Sequence, residues 1–457
     1  MLKKTIGYFL VVLFTFAGCD GGEKLQYLRD LAKERVEKGY SLGISVGVIE
    51  DGEFYTFSYG KHSEESKIPV NSSSRYMIAS LSKTMTGTVL SKMINEGLMS
   101  IDDPLTNFLF PELSLDSDVA SSLTFKQLVT HTAGFPYNPP YMGSHFDENP
   151  YVGTLEEFYE YLNSLTGSDV TPSSEPFYSN VGISLLGYVL QHKKNYASFH
   201  EMMKKELLLP LGMIQTSAKK PSNNFLLSKG FDGDKEREPL NLDSISPAGG
   251  MYSNINNLMK YLALHMGLWE KYNLHEDLTQ AAKDSHIAQY WDDKSKAGYG
   301  MTWGLNTYED MRFIGHAGNV PGYKAFIGFT SDYRKGIVIL TSSERIVNDI
   351  GMQYLTDQAL ELKPLKQDIP MTAEELQEYA GVYAVPGVLT IPLVVENGKL
   401  YYVETSKHRL FPEAKDSFFD KGLLHVEIEF VRSNGIIVGL NLTQYGQKIP
   451  ITFPKVQ

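Results

Sequence analysis

The feature that most constrains the fold is a pair of strand signals at opposite ends of a long segment. Leu42 to Ile49 and Phe54 to Tyr59 read as two strands joined by Asp51-Gly52, a dipeptide suited to a tight hairpin turn. Ala325-Phe326-Ile327-Gly328-Phe329 and Gly336-Ile337-Val338-Ile339-Leu340 form a second strand pair, connected through Ser331-Asp332-Tyr333-Arg334. Between the two pairs the apolar residues follow helical spacing instead. Met85, Val89, Leu90 and Met93 mark one helix, ended by Gly97, and Leu123 to Val129, Val181 to Gln191, Asn256 to Gly267 and Leu278 to His286 mark others. A further helix, Glu23 to Lys38, carries Leu25, Leu28, Leu31 and Val36 at roughly helical spacing. Strands at both ends with helices between imply an α+β domain. Its antiparallel sheet pairs the first strand with the last, is flanked by helices and carries a helical subdomain.

The pattern changes after Leu362. Lys363 to Met371 holds two prolines and no periodicity, and reads as a linker. Thr372-Ala373-Glu374-Glu375 is a capping box that opens a short helix. From Gly381 onward the signals are strands alone, with Asn397-Gly398 and Asn434-Gly435 at turns. This predicts a small all-β barrel or sandwich over 372–457, following a main domain over 24–362. A chain of 457 residues is long for one core, which agrees with two domains.

Met1-Leu2-Lys3-Lys4 is a short basic start, and Ile6 to Phe16 is nearly all apolar. That run is too short to span a bilayer comfortably and suits a signal-peptide core. Phe16-Ala17-Gly18-Cys19 resembles a bacterial lipobox, with Phe16 where Leu is commoner. The resemblance implies a signal peptide over 1–18, acyl chains on Cys19 and a tether over 19–23. The product would be a lipoprotein anchored to a membrane of the bacterial cell envelope, in the periplasm or on the outer surface. The other reading is a plain secretory peptide with an incidental cysteine; both take the protein out of the cytoplasm. Cys19 is the single cysteine, which excludes an internal disulfide framework. No His-Glu-x-x-His or Cys/His cluster suggests a zinc site, so neither metal nor cofactor is expected. A net charge of -12 without a long Lys/Arg run argues against a nucleic-acid partner.

Ile78-Ala79-Ser80-Leu81-Ser82-Lys83 reads as a turn into a helix, with Ser80 at the mouth and Lys83 three positions on, on the same face. A hydroxyl and an amine so placed can share a proton, as a serine nucleophile requires of a neighbouring base. An ordinary capped surface helix has the same residues. Two later stretches offer partners. Glu175-Pro176-Phe177-Tyr178-Ser179-Asn180 puts a phenol and an amide two apart, on one side of an extended loop. A phenol near an ammonium is pushed toward phenolate, and could carry the Ser80 proton to a leaving group. The plainer reading is a buried tyrosine with a satisfied hydroxyl. Gly315-His316-Ala317-Gly318-Asn319 stands just before a predicted strand, and its small residues let a substrate approach the backbone. A free N–H there, with that of Ser80, would make an oxyanion hole. Taken alone, His316 equally suits a strand edge satisfied by backbone contacts. Gly134 to Tyr151, rich in Pro, Tyr, Asn and Gly, is either a lid or binding loop or a packed surface loop stiffened by its prolines.

Ser-x-x-Lys at a helix start, then Tyr-x-Asn, then a basic-small-Gly triplet on a late strand is the order found in the penicillin-recognising serine hydrolases. Over about Glu23 to Leu362 the chain resembles their class C β-lactamase-like branch, which contains β-lactamases, D-Ala-D-Ala carboxypeptidases (penicillin-binding proteins), D-aminopeptidases and related esterases. Thr130-His131-Thr132-Ala133-Gly134-Phe135, Ser246-Pro247-Ala248-Gly249-Gly250-Met251 and the stretch from Gly298 to Leu305 also look like that family. The resemblance implies a serine β-lactamase/DD-peptidase-like fold and a Ser80 acyl-enzyme. Lys83 would be the proton partner, Tyr178 the general base and acid, and Asn180 a contact to Lys83 and to the substrate carbonyl. His316 would hold the basic position of the triplet with Gly318, and the N–H groups of Ser80 and Asn319 would form the oxyanion hole. His131 and Tyr299 are given structural roles.

β-Lactamases usually carry lysine where this chain has His316, which would be only partly charged at pH 7. The implied substrate is therefore a small molecule or peptide with an amide or ester bond, as for a D-amino-acid peptidase or esterase. The alternatives are a β-lactamase proper and a penicillin- or peptidoglycan-binding sensor that does not turn over. The C-terminal strands resemble the small lipocalin-like domain appended to some of these hydrolases, where capping the active-site mouth or contacting another partner would be its role. Substrate choice is expected to depend on the Gly134–Tyr151 loop and on Leu226 to Leu242.

Overall fold

The computed structural model describes residues 22–142, 153–221, 226–231, 236–268, 276–343, 345–360, 366, 368–385, 389–403, 407–420, 426–444 and 447–456. Cys19, the 1–18 leader, part of the 363–371 linker and residues 143–151 of the proline-rich loop lie outside them. The main helices are Glu23–Glu37 (α1), Leu81–Asn95 (α2), Asn180–Lys193 (α3), Ile255–His265 (α4), Glu276–Ser285 (α5) and Asn348–Leu355 (α6). The strands of the first sheet are Gly43–Glu50 (β1), Glu53–Gly60 (β2), Tyr290–Asp292 (β3), Ala297–Tyr299 (β4), Gly304–Tyr308 (β5), Met311–Val320 (β6), Tyr323–Thr330 (β7) and Lys335–Ser342 (β8). They form one antiparallel sheet in the order β2-β1-β8-β7-β6-β5-β4-β3.

The first strand pairs with the last as expected, from Gly43 opposite Ser342 to Glu50 opposite Lys335. The β1–β2 turn places Asp51 and Gly52 at φ of 50° and 83°, the left-handed pair that a two-residue hairpin needs. Helices cover both faces of the sheet. Ile44, Val46, Val48, Ile337 and Ile339 face α1 and α6, while Ile327, Phe329, Val338 and Leu340 face α2 and α4. Burial on both sides explains why the late strands show continuous apolar runs instead of alternation. Gly47 lets α4 close on the sheet, since a Cβ there would stand 2.4 Å from Met259 Sδ.

Helix α2 is buried nearly all round, as suits a central helix between the sheet and the helical subdomain. Two local expectations need correction. The strand carrying the triplet begins at Met311, so His316 lies within it; two glycines had broken its apolar pattern. Tyr178 and Asn180 do not share an extended loop either. Ser179 caps α3, its hydroxyl accepting from the Gly182 N–H at 3.0 Å, and Asn180 is already helical.

The capping box at Thr372 and Glu375 forms as expected and opens Ala373–Gln377 (α7). Eight strands follow: Gly381–Val385 (β9), Leu389–Glu396 (β10), Lys399–Val403 (β11), Lys407–Ala414 (β12), Ser417–Asp420 (β13), Val426–Ser433 (β14), Ile436–Gln444 (β15) and Gln447–Pro454 (β16). Each pairs with its neighbour in sequence. Tyr383 bridges Lys455, and the Val456 N–H donates to the Val382 carbonyl at 2.7 Å, so the sheet curls into a nearly closed barrel. Tyr379, Tyr383, Phe418, Phe430 and Phe453 fill its core.

Candidate active site

The site is built at the N-terminus of α2. Ala79 has a φ of 48°, a conformation that costs a residue with a side chain, and the turn it makes sets Ser80 at the helix mouth. Neighbouring backbone holds that turn. The Ile78 N–H donates to the Met251 carbonyl at 2.9 Å, and Ser82 Oγ donates to the Ala79 carbonyl at 2.6 Å while accepting from the Met251 N–H at 3.2 Å. Ser80 itself remains partly exposed.

Lys83 is fully buried, and its Nζ lies 3.0 Å from Ser80 Oγ, 2.6 Å from Asn180 Oδ1 and 2.7 Å from the Ala248 carbonyl. Burial holds its ammonium well below the usual amine range. The amide and carbonyl oxygens can only accept, whereas the hydroxyl can donate. A neutral amine gives two hydrogen bonds and receives one, so this set of partners can take the Ser80 proton onto Lys83. Asn180 Nδ2 donates to Asn138 Oδ1 at 2.7 Å, which turns Asn180 Oδ1 toward Lys83.

Tyr178 packs beside this group. Lys83 Nζ is 4.8 Å from the centre of its ring, which lies 4.4 Å from the His131 ring and 6.3 Å from that of His316. His316 Nδ1 donates to the Ala317 carbonyl at 2.7 Å, which leaves Nε2 as an acceptor. Burial lowers its pKa to about 4. His316 is therefore neutral at pH 7, where the sequence alone suggested partial charge.

Close packing within the protein by itself requires glycine at position 318. A Cβ there would stand 2.3 Å from the Ile78 carbonyl, so β6 is seated against the turn that presents Ser80. Ala317 points to the opposite face, against the α1 and α6 core. Strand β5 pairs with β6 only as far as Gly315. On that side His316 to Val320, including Asn319, has no strand beside it among the described residues.

The structure thus gathers Ser80, Lys83, Tyr178, Asn180 and the His316 triplet in one place, and His131 and Tyr299 adjoin them with rings 5.3 Å apart. Sequence reasoning missed the Ala248 carbonyl, because every residue carries one and residue type does not mark it. Its signal was the small-residue run from Ala248 to Gly250. It also missed Asn138, one of several asparagines and prolines in its loop with nothing to single it out.

This fold and arrangement define a serine hydrolase of the β-lactamase and penicillin-binding-protein type. The chain belongs to the Beta-lactamase family, whose model matches residues 28–361. A β-lactamase of Providencia stuartii is 27% identical over 59% of this chain, which spans 66% of that relative's length, just under two thirds. Penicillin-binding protein 4* of Bacillus subtilis is 24% identical, covering 89% of this chain and 94% of the relative. Among solved structures, a β-lactamase/D-alanine carboxypeptidase from Pseudomonas syringae shares the fold with a TM-score of 0.64 at 19% identity, over 75% of this chain and 100% of that one.

Proposed function

We propose that the protein is an envelope-anchored serine hydrolase that works through a Ser80 acyl-enzyme on a peptide, amide or ester, as a D-amino-acid peptidase or esterase does. The observation that carries this reading is the 3.0 Å contact between Ser80 Oγ and a lysine whose other two partners are obligate acceptors. Ser80 Oγ attacks the substrate carbonyl carbon as its proton passes to Lys83. The N–H groups of Ser80 and Asn319 receive the oxyanion, and Asn180 contacts the substrate carbonyl while holding Lys83. The proton passes from Lys83 through Tyr178 to the leaving group; in deacylation the proton of the attacking water runs back through Tyr178 to Lys83 and from there to Ser80 Oγ as the acyl ester breaks. The unpaired edge of β6 accepts an extended substrate backbone.

The neutral His316 supports a peptide or ester over a β-lactam. A fixed cation about 4 Å from a carboxylate would add about 1–4 kcal/mol of attraction, which a neutral imidazole lacks. Anchoring at Cys19 rests on the basic start, the apolar run and the Ala17-Gly18-Cys19 sequence. Cys19→Ala should move the protein from the membrane fraction to the soluble envelope fraction. Activity is tested with D-amino-acid peptides, short esters and β-lactams, comparing wild type with Ser80→Ala. Continuous turnover of a peptide or ester supports the reading. A stoichiometric burst with nothing after it would replace it with the non-turnover sensor, and faster turnover of a cephalosporin with a β-lactamase.

A further inference from the structure

We propose that His131 is the positioning residue for Tyr178, holding the phenol against Lys83 from both sides of its backbone. The inference rests on the reading of Tyr178 as the proton relay. The amides flanking Tyr178 both end on this one residue: the Phe177 N–H donates to the His131 carbonyl at 2.7 Å, and the Ser179 N–H donates to His131 Nδ1 at 3.2 Å. The His131 ring also lies 4.4 Å from the Tyr178 ring at 34°. Tyr178 cannot swing away from Lys83 without breaking one of these contacts.

His131 is itself held in place. It follows the short helix Phe125–Val129 at a φ of 61°, with its N–H on the Leu128 carbonyl, and the Tyr299 ring meets it edge-on at 5.3 Å and 80°. An Nδ1 that accepts a hydrogen bond requires a neutral ring with its proton on Nε2. Burial favours that state. Nε2 is buried and has no hydrogen-bond partner among the described residues, where the imidazole's hydrogen bond goes to the Tyr178 segment. Helix capping does not need it, since Ser179 Oγ already binds the Pro136 carbonyl and the Gly182 N–H.

The conformation and the acceptor can be separated by substitution. Asparagine tolerates the left-handed φ and offers Oδ1 near the place of Nδ1, whereas glycine tolerates the φ and offers no acceptor. The readouts are kcat and KM for p-nitrophenyl acetate, the rate of fluorophosphonate labelling, and Tm. His131→Gly should lose about 100-fold in kcat and in labelling rate with little change in KM, since misplacing a reacting group by about 1 Å costs that much. His131→Asn should recover most of that loss. Should His131→Gly fail to fold, His131→Asn carries the test alone: with Tm preserved it should keep most of the wild-type kcat, and a loss of about 100-fold there would overturn the role. Tyr178→Phe is added in each background. It should cost the wild type heavily and the acceptor-free variant little, because a relay already out of place has little left to lose. Equal kcat in the asparagine and glycine variants, or full additivity with Tyr178→Phe, would overturn the positioning role alone. A wild-type protein that is folded and never labelled would overturn the acyl-enzyme reading and this one with it.

Discussion

Lys83 Nζ lies 3.0 Å from Ser80 Oγ and 2.7 Å from the Ala248 carbonyl, buried where its charge is disfavoured. The proposed Ser80 acyl-enzyme needs a base here, and a neutral amine has the free lone pair that a charged lysine lacks. Lys83→Ala should lower the fluorophosphonate labelling rate by about 100-fold to 10,000-fold, the range for a positioned general base. Stopped-flow or gel-based labelling measures it. A loss under about threefold would assign the base elsewhere.

Stability should fall on the acid side of neutrality. Burial lowers the pKa of His316 to about 4 and that of His286 to about 3, against about 6.5 in an unfolded chain. His131 and His265 shift in the same direction. Between these folded and unfolded values the unfolded chain binds more protons. Stability is therefore complete above about pH 6.5 and declines as pH drops through about 4 to 3. Urea midpoints at about pH 7 and about pH 5 should differ by an amount that His286→Phe reduces. Equal midpoints would contradict the buried neutral histidines.

Gly318→Ala should damage catalysis without touching any reacting group. The added methyl meets the Ile78 carbonyl at 2.3 Å, and either β6 or the turn before Ser80 has to move. Overpacking of this kind costs about 1–3 kcal/mol, and a displaced Ser80 about 100-fold in acylation. Thermal unfolding and labelling rates check both. A variant matching the wild type in each would show that the contact yields freely.

His316→Lys should shift preference toward carboxylate-bearing substrates. A cation at this position adds about 1–2 kcal/mol for a nearby carboxylate, or about tenfold in rate. Acylation by nitrocefin should rise by about that factor relative to p-nitrophenyl acetate. An unchanged ratio would mean that residue 316 does not face the substrate's charged group.

Much of this was legible in the residues. The Asp51-Gly52 hairpin, the closing pair of β1 with β8 and the capping box at Thr372 all follow from local patterns that their neighbours reinforce. The order of Ser80, Lys83, Tyr178, Asn180 and His316 along the chain points to a single site. Three things were not legible. The start of β6 was hidden by glycines that serve close packing and weaken a strand pattern. The charge state of His316 depends on burial in the folded site, which its neighbours in sequence do not reveal. The grip of His131 on Tyr178 runs partly through backbone groups, which sequence does not distinguish.

The central claim is that Ser80 becomes covalently acylated. The direct measurement is peptide mass spectrometry of the folded protein after reaction with a fluorophosphonate. The account predicts one adduct, on the peptide containing Ser80, and its loss in Ser80→Ala with unfolding temperature preserved. An adduct on another residue, or equal labelling of Ser80→Ala, would contradict it.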